Sequence, residues 1–291
     1  MKVIQPTWWR NRIAQRVIRP FQNCRYNSDF RVIDEEWDTL IVLDGCREDL
    51  FREIINTSRF DIYETRMSAG SATDEWTKKN FAGQALTDTV YVTGNPVVSR
   101  QVQTAFHAFI EVWRDGFDKN QGTVPPELVT EAAIEARKEN PDKRMIVHYM
   151  QPHYPFIGYP ELRYTTFGGT EEMEVESAKT GASDVWEALG KGFVDKETVW
   201  EAYGENLRIV MESADELIEA EEGKSVVTAD HGNLLDERVS LLRIRLYGHP
   251  SYIHHPSLRE VPWAVTGESD EVNERQVSAN VENQLRSLGY T

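Results

Sequence analysis

Three side chains of the kind that bind divalent metal ions follow two predicted strands of this sequence. Asp44 comes directly after the run 39–43, and Asp230 and His231 come directly after the run 224–229. Carboxylate oxygens and imidazole nitrogens are ligands for Zn, Mn, Mg or Ca. An aspartate after a strand is often only a helix N-cap, but an adjacent acid and imidazole have no obvious packing use. We therefore predict one divalent metal ion at Asp44, Asp230 and His231, and leave a second ion open.

Two further histidines stand where they could reach the same site. His153 lies in Gln-Pro-His-Tyr-Pro-Phe, just after the run 144–150, and His249 lies in Tyr-Gly-His-Pro within a polar loop. Imidazole nitrogens placed there are further candidate ligands at the same rim of the sheet. His254 and His255 are weaker candidates for metal ligands, because they stand beside a proline in what reads as a surface loop.

The elements that would position these residues alternate between strands and helices. An apolar run without alternation is typical of a strand buried on both faces. Strands that alternate with helices favour an α/β domain with a mostly parallel central sheet and helices on both faces. In such sheets ligands bind beyond the carboxyl ends of the strands, where the candidate ligands stand. The predicted strands span 39–43, 89–93, 144–150 and 224–229, and the predicted helices span 47–56, 125–140 and 200–220.

The order of the motifs resembles the alkaline phosphatase and sulfatase superfamily. The order is Asp44 after its strand, Gly-Ser-Ala-Thr at 70–73, His-Tyr-Pro-Phe at 153–156, Asp-His-Gly at 230–232 and Gly-His at 248–249. The resemblance is closer to the phosphoethanolamine and glycerol-phosphate transferases than to the two-zinc phosphatases, and it extends over roughly residues 38–265. It implies an alkaline phosphatase-like fold and a metal-dependent hydrolase or transferase of phosphate or sulfate esters.

The resemblance also implies which residue forms a covalent bond with the transferred group. It places a phospho- or sulfo-threonine intermediate at Thr73, with Ser71 as the rival nucleophile. A bound metal ion would lower the pKa of that hydroxyl, and a helix beginning near Asp74 would direct its N-terminal amides at the transferred group. The segment 70–73 could instead be only a capping turn.

Four more residues receive roles around the same rim. The resemblance places His153 and His249 where they contact substrate oxygens or a second ion. Arg47 and Asn95 are candidate substrate-binding residues, although either could equally be structural.

Three differences from the superfamily's motifs disfavour an ordinary sulfatase and a two-zinc phosphatase. No Cys-x-Pro-x-Arg segment is present to supply a formylglycine, and Cys46 is interpreted as a buried small residue. Gly45 follows Asp44, whereas sulfatases have a second aspartate there. No histidine has an aspartate four residues before it, so the ligand pair of the two-zinc phosphatases is missing and one tightly held ion is favoured.

The amino-acid composition indicates the kind of source, the classes of partner and the cellular location to expect. The formal net charge is −16, and lysine occurs at only ten of 291 positions. A lysine-poor acidic surface favours a salt-loving source, with an ordinary acidic protein as the alternative, and argues against nucleic-acid binding. Two cysteines, no long apolar run and no recognisable signal peptide favour a cytoplasmic location.

The first 30 residues differ from the rest of the chain, because 1–28 contain six basic residues and no acid. Apolar residues recur every fourth position over 8–21, which predicts a basic amphipathic helix. Such a helix could lie on an anionic membrane at the inner face, or dock on the protein's acidic body or on a second subunit of a homo-oligomer. Residues 31–291 are predicted to form a single catalytic domain, with an acidic insertion near 158–198.

The sequence therefore favours a phosphate- or sulfate-ester hydrolase or transferase, with a lipid-linked or cell-surface glycan precursor as the expected substrate. A second interpretation is a phosphodiesterase or phosphatase for small metabolites, for which the N-terminal arm would be dispensable. A third is a catalytically silent relative that keeps the fold to bind or scaffold a partner.

Overall fold

A computed structural model describes residues 30–102, 105–164, 180–239 and 244–267. The predicted N-terminal arm lies outside these ranges apart from its last residue, so its contact with a membrane or a second subunit stays a prediction. The acidic insertion is described at 158–164 and 180–198 only.

A seven-stranded sheet forms the centre of the described chain. Its order is β2-β9-β6-β1-β5-β3-β4. The neighbours from β6 to β4 are parallel, whereas β9 is antiparallel to both β6 and β2. β7 and β8 pair with each other in a separate antiparallel sheet. The strands are β1 Thr39–Leu43, β2 Ile62–Met67, β3 Leu86–Thr93, β4 Phe106–Glu111, β5 Arg144–Tyr149, β6 Ser225–Ala229, β7 Leu234–Val239, β8 Ile244–Gly248 and β9 Glu260–Thr266.

Seven α-helices connect or flank these strands within the described residues. The longest begins at Lys196, four residues before its predicted start, because Asp195 caps it by accepting the N–H of Thr198 at 2.7 Å. No helix in the described ranges is both long and apolar enough to cross a bilayer. The helices are α1 Glu48–Ile54, α2 Thr73–Phe81, α3 Pro96–Val102, α4 Pro126–Glu139, α5 Val185–Lys191, α6 Lys196–Ala220 and α7 Pro256–Arg259.

Two apolar cores cover the two faces of the sheet. One contains α1, α4 and α6 with Ile41 and Leu43 of β1, and the other contains α2 and α3 with Leu40 and Val42. Successive side chains of a strand point to opposite faces, so a strand covered on both sides must be apolar throughout. The predicted mostly parallel sheet with helices on both faces is confirmed.

Candidate metal centre and active site

The parallel sheet brings the three predicted metal ligands together. β1 and β6 are neighbours in register, with Leu43 opposite Ala229, so the residues that follow them emerge side by side. Asp44, Asp230 and His231 are buried, and their ligand atoms all lie within 4.8 Å of one another. Residues 186 positions apart in the chain therefore form one cluster, as the sequence predicts.

The tautomer of His231 suits metal binding. Its Nδ1 lies 2.8 Å from the carbonyl oxygen of Gly232, so Nδ1 must donate and Nε2 is the nitrogen available to a metal ion. That Nε2 lies 3.4 Å from Asp230 Oδ2 and 3.6 Å from Asp44 Oδ1. An acceptor nitrogen that faces two acceptor oxygens is the arrangement expected around a cation.

The two carboxylates are buried side by side, and their pKa values shift in opposite directions. Burial, followed by the charge of Asp230, raises the pKa of Asp44 against the hydrogen bond from Asn95. Burial opposes ionisation of Asp230 too, but the imidazoles of His231 and His148 outweigh it and lower the pKa of Asp230. A second full charge on Asp44 therefore needs a nearby cation.

The cluster passes a test of fit for a divalent ion. Asp230 Oδ2 is buried without a hydrogen-bond partner, which is costly unless another group satisfies it. Among the described residues, neither Asp44 nor Asp230 forms an ion pair with a lysine or arginine. Two carboxylates and one imidazole form a donor set that several divalent ions accept.

Two glycines allow the ligand segments to approach each other. Gly45 has φ +67°, and a Cβ there would lie 2.8 Å from Asn233 Nδ2; in this turn its N–H donates to Asp230 Oδ1 at 2.9 Å. At Gly232 a Cβ would come within 2.3 Å of the Ser257 carbonyl oxygen. The glycine that follows each ligand is therefore required by backbone conformation or by contact.

Of the two candidate nucleophiles, the structure brings only Thr73 to the cluster. Its Oγ1 lies 3.2 Å from His231 Nε2, and it is the first residue of α2, where backbone N–H groups are free. Ser71 Oγ instead donates to Glu75 at 2.9 Å and accepts the N–H of Ile253. The geometry therefore favours Thr73.

His153 and His249 form a hydrogen-bonded pair beside the cluster. Their Nε2 atoms lie 2.9 Å apart, and the His249 ring stacks on His231 with centroids 4.5 Å apart. His153 Nδ1 donates to the Tyr154 carbonyl oxygen, so its neutral ring accepts at Nε2 and His249 supplies the N–H. Burial is the main cause that lowers the pKa of His153 to about 4 and that of His249 well below its usual range.

Asn95 and Arg47 occupy different surroundings. The amide of Asn95 donates to Asp44 Oδ2 and lines the cavity beside Thr73. Arg47 is buried away from that cavity, where it pairs with Asp49 and Glu237 at 2.6 Å each. Although burial favours the neutral form, these two carboxylates raise the pKa of Arg47 above its usual value. The structure favours the structural alternative for Arg47.

Replacing Arg47 with methionine should lower the free energy of unfolding by about 3 kcal/mol, because it leaves the half-buried Glu237 without its ion-pair partner and removes the hydrogen bond to the buried Asn233 carbonyl oxygen. Urea unfolding measures this change. The matched control is Arg208→Met, which removes an exposed pair with Glu205 and should cost less than about 1 kcal/mol. Unchanged stability combined with a raised KM would instead support the substrate-binding role.

A second group of buried polar residues supports the site and was missed from the sequence. His148 of β5 has Nδ1 2.8 Å from the Tyr91 hydroxyl, and its Nε2 lies 3.9 Å from Asp230 Oδ2. Asn233 and Tyr203 both donate to the carbonyl oxygen of Gly45. The available signal for His148 was an imidazole within an otherwise apolar run.

The weaker histidine candidates lie outside the cluster. His254 contacts Arg259 through its Nδ1, and His255 accepts the N–H of Ser257 at the start of α7. Cys46 is fully buried, as predicted, and burial raises the pKa of its thiol.

No protein-family model and no curated protein matches the sequence. Several solved structures do match the fold. The soluble domain of lipooligosaccharide phosphoethanolamine transferase A from Neisseria meningitidis aligns with a TM-score of 0.50 and 18% identity, covering 78% of this chain and 75% of that one. The periplasmic domain of a Campylobacter jejuni phosphoethanolamine transferase aligns with a TM-score of 0.50 and 18% identity, covering 78% and 77%.

The integral membrane form of the Neisseria meningitidis transferase aligns with a TM-score of 0.52 and 15% identity. The match covers 90% of this chain and 55% of that protein, so this chain spans about half of its length. At sequence identities of 15–18%, these matches show that the folds are similar.

Proposed function

We propose, from the premise that this chain has the alkaline phosphatase-like fold, that it is a metal-dependent hydrolase or transferase of phosphate or sulfate esters. The observation that carries the proposal is the buried cluster of Asp44, Asp230 and His231 with the Thr73 hydroxyl beside it. A metal ion held by that cluster would lower the pKa of the hydroxyl and neutralise charge on the transferred group.

In the proposed reaction Thr73 Oγ1 attacks the phosphorus or sulfur atom. A bond from Oγ1 to that atom forms, the bond to the leaving oxygen breaks, the Thr73 proton passes to solvent, and the leaving oxygen takes a proton from the His153–His249 pair. Water or an acceptor hydroxyl then displaces the group, and Thr73 regains a proton. The free N–H groups at the start of α2 would bind the transferred oxygens.

The His153–His249 pair would serve the leaving group. His249 supplies the N–H of the pair, and both rings line the cavity that contains Thr73. Because no lysine or arginine is among the described residues that line this cavity, imidazole and amide donors must stabilise the developing charge together with the metal. A proton can pass through the pair to the leaving oxygen.

Ester turnover and metal binding together test the proposal. Purified protein is treated with a chelator, reloaded with Zn, Mn, Mg or Ca, and assayed with 4-nitrophenyl phosphate, bis(4-nitrophenyl) phosphate and 4-nitrophenyl sulfate. We expect one ester class to be turned over only after reloading, with one ion bound per chain by calorimetry. Metal binding without turnover of any ester would favour the catalytically silent relative.

The setting of the reaction is also a proposal. The net charge of −16 and the scarcity of lysine support a cytoplasm rich in salt. The basic residues of 1–28 support contact with an anionic membrane at its inner face, which would suit a lipid-linked or glycan precursor as substrate. Docking of that arm on a second copy of the chain is the alternative.

A further inference from the structure

The cavity that contains Thr73 has two chemically different sets of lining residues. Its volume is about 280 Å³. One set is the catalytic group already described, which includes Asp44, Asn95 and the two imidazoles. The other set is apolar and consists of Val97, Trp113, Phe117, Val124 and Met150.

Charge at this cavity disfavours an anionic substituent on the substrate. Asp184 is the one charged residue besides Asp44 among the described lining residues, histidines aside. Its Oδ1 accepts the N–H of Glu187 at 2.8 Å as the cap of α5, and its Oδ2 lies 3.3 Å from Ser183 Oγ. Asp184 therefore repels anions, while its oxygens are already engaged in hydrogen bonds within the protein.

The apolar set is fixed relative to the catalytic residues. Trp113 donates through Nε1 to Ser99 Oγ at 3.0 Å, and the Arg114 guanidinium stacks on its ring at 4.6 Å. Gln151, which follows β5 and precedes the catalytic His153 by two positions, donates to the Val124 carbonyl oxygen at 2.9 Å. This part of the cavity is formed before any ligand arrives, which reduces the cost of binding.

Trp113, Phe117 and Met150 are only half-buried although they pack against the larger core. Their remaining apolar surface faces a cavity next to a nucleophile. Covering such surface with an apolar ligand group removes it from water, which is favourable in proportion to the area covered.

We propose that these residues form a subsite for an uncharged apolar group on the leaving oxygen of the ester, an aromatic ring or a branched alkyl group. The proposal rests on the proposed function. A cavity of about 150 Å³ is enough for benzene, so about 280 Å³ accommodates one such group together with the transferred group. The protein would therefore select esters of apolar alcohols over those of sugars or of anionic alcohols, which favours a lipid-linked precursor over a glycan among the substrates proposed above.

Two esters of nearly identical shape test the subsite. 3,3-Dimethylbutyl phosphate carries an uncharged tert-butyl group where phosphocholine carries a trimethylammonium group, and the sulfate esters form the same pair. In metal-loaded protein we expect kcat/KM to be at least about tenfold higher for the dimethylbutyl ester. Equal values, or a preference for the choline ester, would overturn the proposal, the latter in favour of a cation site built on Asp184.

Single substitutions test whether the apolar lining residues cause the preference for the dimethylbutyl ester. Trp113→Ala should lower kcat/KM for the dimethylbutyl ester about tenfold more than for methyl phosphate. Phe117→Ala should act in the same direction if Trp113→Ala does not fold. The matched control is Phe193→Ala, since Phe193 is an exposed aromatic residue that does not line the cavity. Loss of the preference in the control would also contradict the proposal.

Binding of the alcohols alone separates the subsite from catalysis. We expect 3,3-dimethylbutan-1-ol, and not choline, to show saturable NMR line broadening with the wild-type protein and much less with Trp113→Ala. If that is seen and no ester is turned over, the subsite stands and the proposed function fails. If esters are turned over without preference and the alcohol does not bind, the subsite fails alone.

Discussion

Replacing Thr73 with alanine should lower kcat for ester turnover by on the order of 10³-fold or more, because the proposed nucleophile is removed. Thr73 is the hydroxyl residue next to the metal cluster, with Oγ1 3.2 Å from His231 Nε2. No covalent intermediate should form in this variant. Mass spectrometry of acid-quenched protein, digested after mixing with substrate, measures the modified peptide directly.

The matched control is Ser71→Ala, which lies two residues away and removes a hydroxyl of the same kind. Ser71 Oγ holds Glu75 and the segment around Ile253, so this variant should lose some stability but keep the modified peptide. A modified peptide that disappears in Ser71→Ala and persists in Thr73→Ala would reverse the assignment. Persistence in both variants would contradict the threonine mechanism.

Replacing Asp230 with asparagine should abolish metal-dependent stabilisation without unfolding the metal-free protein. An asparagine oxygen can keep the hydrogen bonds that Oδ1 accepts from Gly45 and His231, while the charge buried beside Asp44 disappears. The metal-free variant should still fold, because the amide nitrogen that replaces Oδ2 can donate to the nearby His231 Nε2 and the repulsion that raises the pKa of Asp44 is removed. Wild type should gain about 2.7 kcal/mol at a free metal concentration of about 100 times Kd, and the variant should gain far less.

Thermal unfolding with and without metal measures both parts of this prediction. Asp215→Asn is the matched control. Asp215 pairs with Arg59 at the surface and does not belong to the metal cluster, whereas Asp230 is fully buried in it. Its gain on metal addition should equal that of wild type. A normal gain in Asp230→Asn would mean that the ion binds elsewhere, and a metal-free variant that fails to fold would mean that the Asp230 charge is needed for folding itself.

The fold could be predicted where a strand is covered on both faces. β1 is a short apolar run and β6 is rich in valine and threonine, because each lies between two helical layers. The residue after each strand lies at the edge of the sheet where sites form. The remaining strands carry weaker patterns. β2 is half-exposed at the edge of the sheet, and β7 and β8 pair with each other outside it. None of these three strands is therefore visible in the sequence as an apolar run.

The site could be predicted where residue type and chain position coincide, and not where tertiary packing decides. Asp44, Asp230 and His231 stand at strand ends, and the structure joins them. His148 stands inside β5, and its relation to Asp230 depends on which strand lies next to which. Similarly, the burial of Arg47 depends on Glu237, which is 190 residues away in the chain.

The β7–β8 pair has a consequence for how proteins of this fold could diversify. The metal ligands follow strands of the central sheet, but His249 follows β8 of the second sheet. One face of that sheet packs in a small core with Leu258 of α7, whereas Leu235 and Tyr247 pack with the larger core. One imidazole of the site is therefore positioned by the second sheet, whereas the metal ligands are positioned by the central sheet. A change in the length of β7 and β8 would move His249 and change the proton donor that faces the leaving group. The three metal ligands would keep their positions at the ends of the central strands.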